Sequence, residues 1–77
     1  MKSIKITLNS IDVVKAFVGI VSQLDGDCDL VSERYVVDAK SIMGVLSLDL
    51  SKELSLQFHN DGDYDKAAEA LSKLVAL

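Results

Sequence analysis

The sequence has little that would direct the chain into a membrane or into a disulfide. Its 77 residues include one cysteine, Cys28, which excludes an internal disulfide and is typical of a small core residue. The longest apolar run extends only from Ala16 to Val21, far short of the ~20 residues needed to cross a bilayer. Because no basic-then-apolar segment opens the chain, we expect it to be cytoplasmic.

Basic residues are also in the minority. Eight Lys and Arg against twelve Asp and Glu give a formal net charge of −4. Since nucleic-acid affinity comes largely from basic side chains that neutralise phosphates, this balance argues against a nucleic-acid ligand and an acidic membrane surface. No linker, repeat or low-complexity run is visible, and 49% of the residues are hydrophobic. We therefore expect a single folded domain over residues 1–77.

The first half of the chain predicts a strand, a helix and a hairpin. Residues from about Lys2 to Leu8 alternate between apolar and polar, which predicts a half-buried strand. A helix follows, with Asn9 or Ser10 as its cap, and stops at Asp25-Gly26. Two short strands then flank a turn at 32–34. The apolar positions are Val14, Phe17, Val18, Val21 and Leu24 in the helix, and Cys28, Leu30, Tyr35, Val37 and Ala39 in the strands.

The second half predicts a short helix, a strand and a final helix. Ser41 leads a short apolar run, and a serine in that place caps a helix by accepting unpaired backbone N–H groups. Asp61 or Asp63 is suited to cap the last helix. The apolar positions are Leu54, Leu56 and Phe58 in the strand, and Tyr64, Ala67, Ala68, Leu71, Leu74 and Val75 in the last helix. The order β-α-β-β-α-β-α predicts an α+β fold, one antiparallel sheet with helices on one face.

Two acidic stretches, 25–29 and 61–65, resemble calcium loops only superficially. An EF-hand loop needs Gly at its sixth position and Glu at its twelfth, where the first stretch places Leu30 and Val36 and the second places Lys66 and Ser72. Turn and cap chemistry explains both stretches, and we expect no metal and no cofactor.

A family resemblance begins at Ser41. Residues 40–48, Lys-Ser-Ile-Met-Gly-Val-Leu-Ser-Leu, closely resemble the segment around the regulatory serine of HPr, the histidine-containing phosphocarrier of the bacterial sugar phosphotransferase system. From Phe17 to Leu74 the chain can be laid on that family with little or no gap. The resemblance implies a two-layer sandwich of a four-stranded antiparallel sheet, in the order 1-4-2-3, and three helices on one face.

The phosphocarrier motif of that family is missing. In HPr a histidine at the start of the first helix accepts the phosphoryl group within the motif Gly-Leu-His-Ala-Arg-Pro-Ala. Counting back from Phe17 puts Ser10 at the histidine position, Asp12 at the arginine position and Val13 at the proline position. We interpret Ser10 and Asp12 as a degenerate phosphocarrier site. The single histidine, His59, follows the last strand and is expected to be solvated there.

The resemblance therefore implies a protein that is not an enzyme. It predicts a regulatory or adaptor protein, like the catabolite-repression HPr, which also lacks the histidine. Ser41 would be phosphorylated, and Ile42, Met43 and Leu46 would bind partner proteins. The implied partners are an HPr serine kinase, a catabolite-control transcription regulator or other phosphotransferase-system proteins. The alternatives are a phosphocarrier that uses His59 or Ser10, and an interaction module without phosphorylation. We expect a monomer or weak dimer.

Overall fold

In a computed structural model of the protein, residues 2–74 are described, and they form one antiparallel sheet with three helices. Strands and helices follow one another in the order β-α-β-β-α-β-α that the sequence predicts. The strands are β1 (Ser3–Ile6), β2 (Cys28–Val31), β3 (Val36–Asp38) and β4 (Leu54–Phe58). The helices are α1 (Ile11–Val21), α2 (Ile42–Leu46) and α3 (Gly62–Ser72).

The sheet has the strand order β1-β4-β2-β3. The last strand in the sequence thus lies between the first and the second, and Leu56 is opposite Ile4 on one side and Leu30 on the other. β2 and β3 form the predicted hairpin, in which Leu30 is opposite Val37. The order that the family resemblance implies is confirmed.

One hydrophobic core lies between the sheet and the helices. Every second residue of β1, β2 and β4 is buried, while the alternate residues are exposed or half-buried, so the sheet has one dry face. Each helix contributes an apolar stripe to that face. The fully buried side chains with the largest volumes include Phe17, Phe58, Ile6, Leu8, Leu30, Leu54, Leu56 and Leu71.

Two elements end earlier than predicted, although the residues beyond them are still buried. β1 ends at Ile6, yet Leu8 is 0% exposed, and α1 ends at Val21, yet Leu24 is 8% exposed. The Leu24 N–H donates to the carbonyl of Val21, a tighter i to i−3 bond that breaks the α-helical ladder. The apolar pattern therefore predicts which residues are buried, and it continues past the residue at which the strand or helix ends.

The start of α3 differs from the prediction. Asp61 occupies the cap position but makes no side-chain cap hydrogen bond; the Oδ1 of Asn60 accepts the Gly62 N–H instead, at 3.0 Å. Asp63 is 2% exposed, and its Oδ2 accepts the N–H of Gly26 at 2.8 Å. Asp63 thus ties α3 to the loop after α1. Val75, predicted in the apolar stripe of α3, lies outside the described residues.

The Cys28 side chain belongs to the core, at 1% exposed. Burial raises the pKa of its thiol to about 11, so the thiolate is scarce at neutral pH. Among residues 2–74, no helix combines the length and the apolar character required to cross a membrane.

Candidate functional site

The start of α1 is capped by a serine. The Oγ of Ser10 accepts the N–H of Val13 at 3.1 Å, so of the two predicted candidates Ser10 is the cap. Asp12 is exposed in the first turn, where a carboxylate is favoured by the helix dipole. Ile11 between them is 59% exposed. Ser10 and Ile11 border an open cavity of about 350 Å³ that Leu50 helps to line.

His59 lies at the opposite end of the sheet. Leu54, at the start of β4, pairs with Ile6 near the start of α1, whereas the N–H of Phe58 donates to the carbonyl of Lys2. His59 is five residues beyond Leu54 along the extended chain, which corresponds to about 17 Å. The fold therefore does not bring the histidine to Ser10.

His59 has a carboxylate partner that the sequence does not reveal. Its Nε2 is 2.7 Å from the Oδ2 of Asp29, and the two side chains are 46% and 32% exposed. The hydrogen bond to Asp29 raises the pKa of His59 above its ordinary value of 6.5; partial desolvation opposes this, and the charges of Asp29 and Asp27 add to it. The histidine is solvated, as expected, but it is oriented by Asp29.

Ser41 is the cap of α2. Its Oγ accepts the N–H of Gly44 at 3.3 Å, and its carbonyl accepts the N–H of Val45. The side chain is half-buried. Its neighbour Lys40 donates from Nζ to the carbonyl of Leu24 at 2.9 Å. The cap interaction that the sequence predicts for Ser41 is therefore present, and the nearest cation in sequence is already engaged.

The apolar residues of α2 divide between core and surface. Val45 is fully buried and Ile42 packs partly buried against the core, whereas Met43 is 77% and Leu46 39% exposed. A helix of five residues depends on such packing to persist. Of the three residues predicted to bind partners, Met43 and Leu46 are thus accessible and Ile42 mainly supports the helix.

The two acidic stretches meet at one end of the fold. Asp63 accepts the Gly26 N–H, and Lys66 in α3 forms an exposed ion pair with Asp25 at 3.9 Å. Within residues 2–74 no three His, Cys, Asp or Glu side chains are grouped so that they would hold a metal ion. The stretches connect α3 to the loop after α1.

A family model matches residues 12–77, and its description is PTS HPr component phosphorylation site. The chain belongs to the PTS-HPr family. The match starts at Asp12 and so includes Ser41 and all of α2. Proteins of this family are phosphocarriers that interact with other proteins of the phosphotransferase system, rather than enzymes.

Solved HPr structures share the fold of this family member along nearly its whole length. HPr-C-His from Thermoanaerobacter tengcongensis is 28% identical with a TM-score of 0.76, and the alignment covers 97% of this chain and 91% of that one. The phosphocarrier HPr from Bacillus anthracis is 22% identical with a TM-score of 0.72, covering 96% and 95%. A mycoplasma histidine-containing phosphocarrier is 15% identical with a TM-score of 0.75, covering 95% and 90%. A search of curated proteins finds no match.

The structural roles of three residues of this HPr-family chain were not found from its sequence. Ile11 follows the same helical spacing as Val14, but it lies in the first turn of α1 and is exposed. Asp29 alternates with core residues in β2. This alternation places its side chain outside the core, but it does not predict which residue the carboxylate contacts. Asp63 is buried although aspartate is rarely buried. Only the spatial arrangement reveals these roles.

Proposed function

We propose that this HPr-family protein is a non-catalytic regulatory adaptor that lacks the phosphocarrier histidine. Ser41 would accept a phosphate from a kinase, and the exposed side of α2 would dock a partner protein. The observation that carries the proposal is the start of α1, where Ser10 caps the helix while the chain's only histidine lies at the far end of the sheet.

The chemistry of a phosphocarrier explains why the start of α1 matters. A phosphoryl group in transit needs an imidazole nucleophile, backbone N–H groups at a helix start and a cation that neutralises it. Ser10 offers a hydroxyl that already accepts a backbone N–H, and Asp12 adds a negative charge in the first turn. The N–H groups alone cannot replace the nucleophile and the cation, so we infer that this site carries no phosphate.

The environment of Ser41 supports modification. A phosphate there would add about −1.5 to −2 charges at the start of a helix, where the dipole favours an anion. Among the described residues its hydroxyl makes one hydrogen bond, in which it accepts the Gly44 N–H at a long 3.3 Å. Because the Lys40 ammonium donates a hydrogen bond to the Leu24 carbonyl, an arginine of the partner protein would bind the phosphate instead.

The exposed residues of α2 support docking beside that phosphate. Met43 is 77% exposed and stands two residues after Ser41, and Leu46 adds a second exposed apolar side chain. Methionine suits such a surface because its flexible side chain adapts to different partners. A catabolite-control transcription regulator and other proteins of the phosphotransferase system are the partners that the family resemblance implies, and they would be met in the cytoplasm.

A second candidate function is phosphotransfer through His59. The 2.7 Å contact with Asp29 favours it, because a carboxylate that binds one imidazole nitrogen leaves the other as a nucleophile. The surroundings oppose it, since Asp27 and Asp29 both place negative charge near the ring. A phosphoryl group would meet repulsion there, and we therefore rank this function below the adaptor.

Intact-mass spectrometry after two incubations tests both functions. One incubation contains ATP and an HPr serine kinase, and the other contains phosphoenolpyruvate and the first enzyme of the phosphotransferase system. We expect one added phosphate in the ATP incubation only. Ser41→Ala should abolish it, while the matched variant Ser47→Ala should not.

Each other outcome has a distinct meaning. An acid-labile phosphate from phosphoenolpyruvate that disappears in His59→Gln would establish the second function, because phosphohistidine hydrolyses in acid. A phosphate that disappears in Ser10→Ala would show that the start of α1 still carries phosphate. No phosphate in either incubation would contradict the regulatory proposal and leave an interaction module without phosphorylation.

A further inference from the structure

The open edge of the sheet at β3 is outside the proposed phosphorylation and docking surface. β3 is the last strand in the order, so within residues 2–74 only one of its sides pairs with another strand. The Ser32 N–H donates to the Tyr35 carbonyl, and the Ala39 N–H donates to the Cys28 carbonyl. Because antiparallel pairs alternate, the N–H and C=O groups of Val36 between them point away from β2, toward the open edge.

This edge also presents apolar side chains. Val36 is 65% exposed and Tyr35 is 64% exposed. At the other edge of the sheet, β1 directs Ser3 and Lys5 to solvent. Edge strands that avoid pairing carry lysine or other charges, as β1 does, whereas exposed apolar residues at an open edge favour the addition of another strand.

We propose that this edge pairs with β3 of a second copy of the protein, antiparallel about a two-fold axis through Val36. The argument is that the sequence of the strand complements itself in this register. Val36 would lie opposite Val36 of the second copy, and its outward N–H and C=O groups would exchange two hydrogen bonds across the axis. Tyr35 would lie opposite Val37 of the second copy, which is a favourable aromatic and β-branched pair.

Charge complementarity fixes the same register. Arg34 would lie opposite Asp38 of the second copy, and because a two-fold interface repeats every contact, this pair occurs twice. Both side chains are exposed; Asp38 shares the parity of Val36 within β3, and Arg34 lies in the turn just before the strand. The Oδ1 of Asp38 accepts the Lys40 N–H at 2.9 Å, which leaves Oδ2 for the arginine. A shift by one residue would lose both ion pairs.

The contact is short, so the dimer is weak. Pairing stops at Asp38, because its carbonyl accepts the Ser41 N–H where the chain turns toward α2. Such a contact is well below the roughly 1,000 Å² that stable interfaces bury. The dimer should therefore form only at high protein concentration.

Sedimentation velocity across about 10 μM to about 1 mM protein is the direct test. The wild type should shift toward dimer as concentration rises. Arg34→Glu and Asp38→Lys should each weaken the dimer roughly tenfold or more, because each replaces two attractive pairs by two repulsive ones. Mixing the two variants should restore association, since the mixed dimer regains opposite charges at both positions. Lys15→Glu and Glu69→Lys on the helices make the same changes in charge and should have no effect.

Two further measurements keep the test decisive. Val36→Lys places like charges on the axis at an exposed position, so it should abolish the dimer in a folded protein, as circular dichroism would verify. The Val36 amide should gain hydrogen-exchange protection with concentration. A wild type that stays monomeric at the highest concentration would overturn the proposal. A dimer that persists in Arg34→Glu and in Val36→Lys would also overturn it. A dimer that Met43→Glu abolishes would do the same, because loss of association in that variant would place the contact on α2.

Discussion

Two serines perform the same backbone task at the starts of two helices. Ser10 accepts the N–H of Val13 and Ser41 that of Gly44, each three residues ahead. The sequence predicts the cap at Ser41 and limits the other to Asn9 or Ser10, because capping depends on residue type and local spacing. At this scale local chemistry is enough to make a sound prediction.

The capping assignment predicts that each serine stabilises the fold. Ser10→Ala and Ser41→Ala should each lower the free energy of unfolding by ~1 kcal/mol, because an N–H at the helix start loses its partner. Urea denaturation measures the change, and the exposed Ser22 at the end of α1 provides Ser22→Ala as a control. An unchanged denaturation midpoint for Ser10→Ala would refute the role of Ser10 as a cap.

The pair of His59 and Asp29 predicts a measurable titration. The pKa of His59 should lie above 6.5 in the folded protein, because Asp29 accepts a hydrogen bond from the ring. A pKa raised by folding adds stability that is fully present below the unfolded pKa and is lost as the pH rises through the folded pKa. The proton NMR titration is unambiguous because the sequence contains one histidine.

The matched variant for that titration is Asp29→Asn. It should return the pKa of His59 toward 6.5, because both the carboxylate acceptor and its charge are removed. A wild-type pKa at or below 6.5 would contradict the 2.7 Å contact. This pair joins residues thirty positions apart, which is why no local pattern in the sequence predicts it.

At the scale of elements, periodicity predicts which segments are helices and strands better than it predicts where they end. Leu8 and Leu24 continue the apolar pattern of their elements and are buried in the core, although β1 ends at Ile6 and α1 at Val21. The sequence predicts the cap of α3 at Asp61 or Asp63; Asp61 occupies the cap position, but the side-chain hydrogen bond at the helix start is made by Asn60. Asp63 serves a contact between elements, and sequence spacing carries no information about such a contact.

The attachment of α3 through Asp63 can be measured. Asp63→Ala should lower the free energy of unfolding by about 1–3 kcal/mol, because the Gly26 N–H would lose its acceptor at a poorly hydrated position. Asp65→Ala is the matched control, since Asp65 lies in the same helical turn and is exposed. Chemical denaturation of both variants provides the comparison, and equal stability would refute the role of Asp63 as a tie.

For the whole molecule, most of the predicted apolar positions are buried, but Tyr35, predicted in one strand with Val37 and Ala39, precedes β3 and is 64% exposed. Phe17 and Leu56, both expected to face inward from periodicity, are fully buried. The strand order came from the family resemblance, because periodicity shows which face of a strand is apolar but not which strand is its neighbour. The same holds for the candidate sites. The cap at Ser41 depends on neighbouring residues in the sequence and could be predicted, whereas the carboxylate beside His59 comes from a distant part of the chain and could not.

Core truncations should be the most damaging substitutions. Phe17→Ala and Leu56→Ala should each lower the free energy of unfolding by ~2–5 kcal/mol, because each leaves a cavity in a small, close-packed core. Thermal denaturation followed by circular dichroism measures the loss, with the exposed Met43→Ala as the control. A loss below that of the cap variants would contradict the placement of these two side chains.

The position of β4 has a consequence for how the protein is made. β4 is the only described strand that pairs with β1, and it also pairs with β2. While the ribosome is still adding residues before Leu54, β1 has no neighbouring strand and the centre of the sheet is empty. The sheet therefore cannot form before β4 has emerged, and the newly made apolar strands stay exposed to chaperones until then.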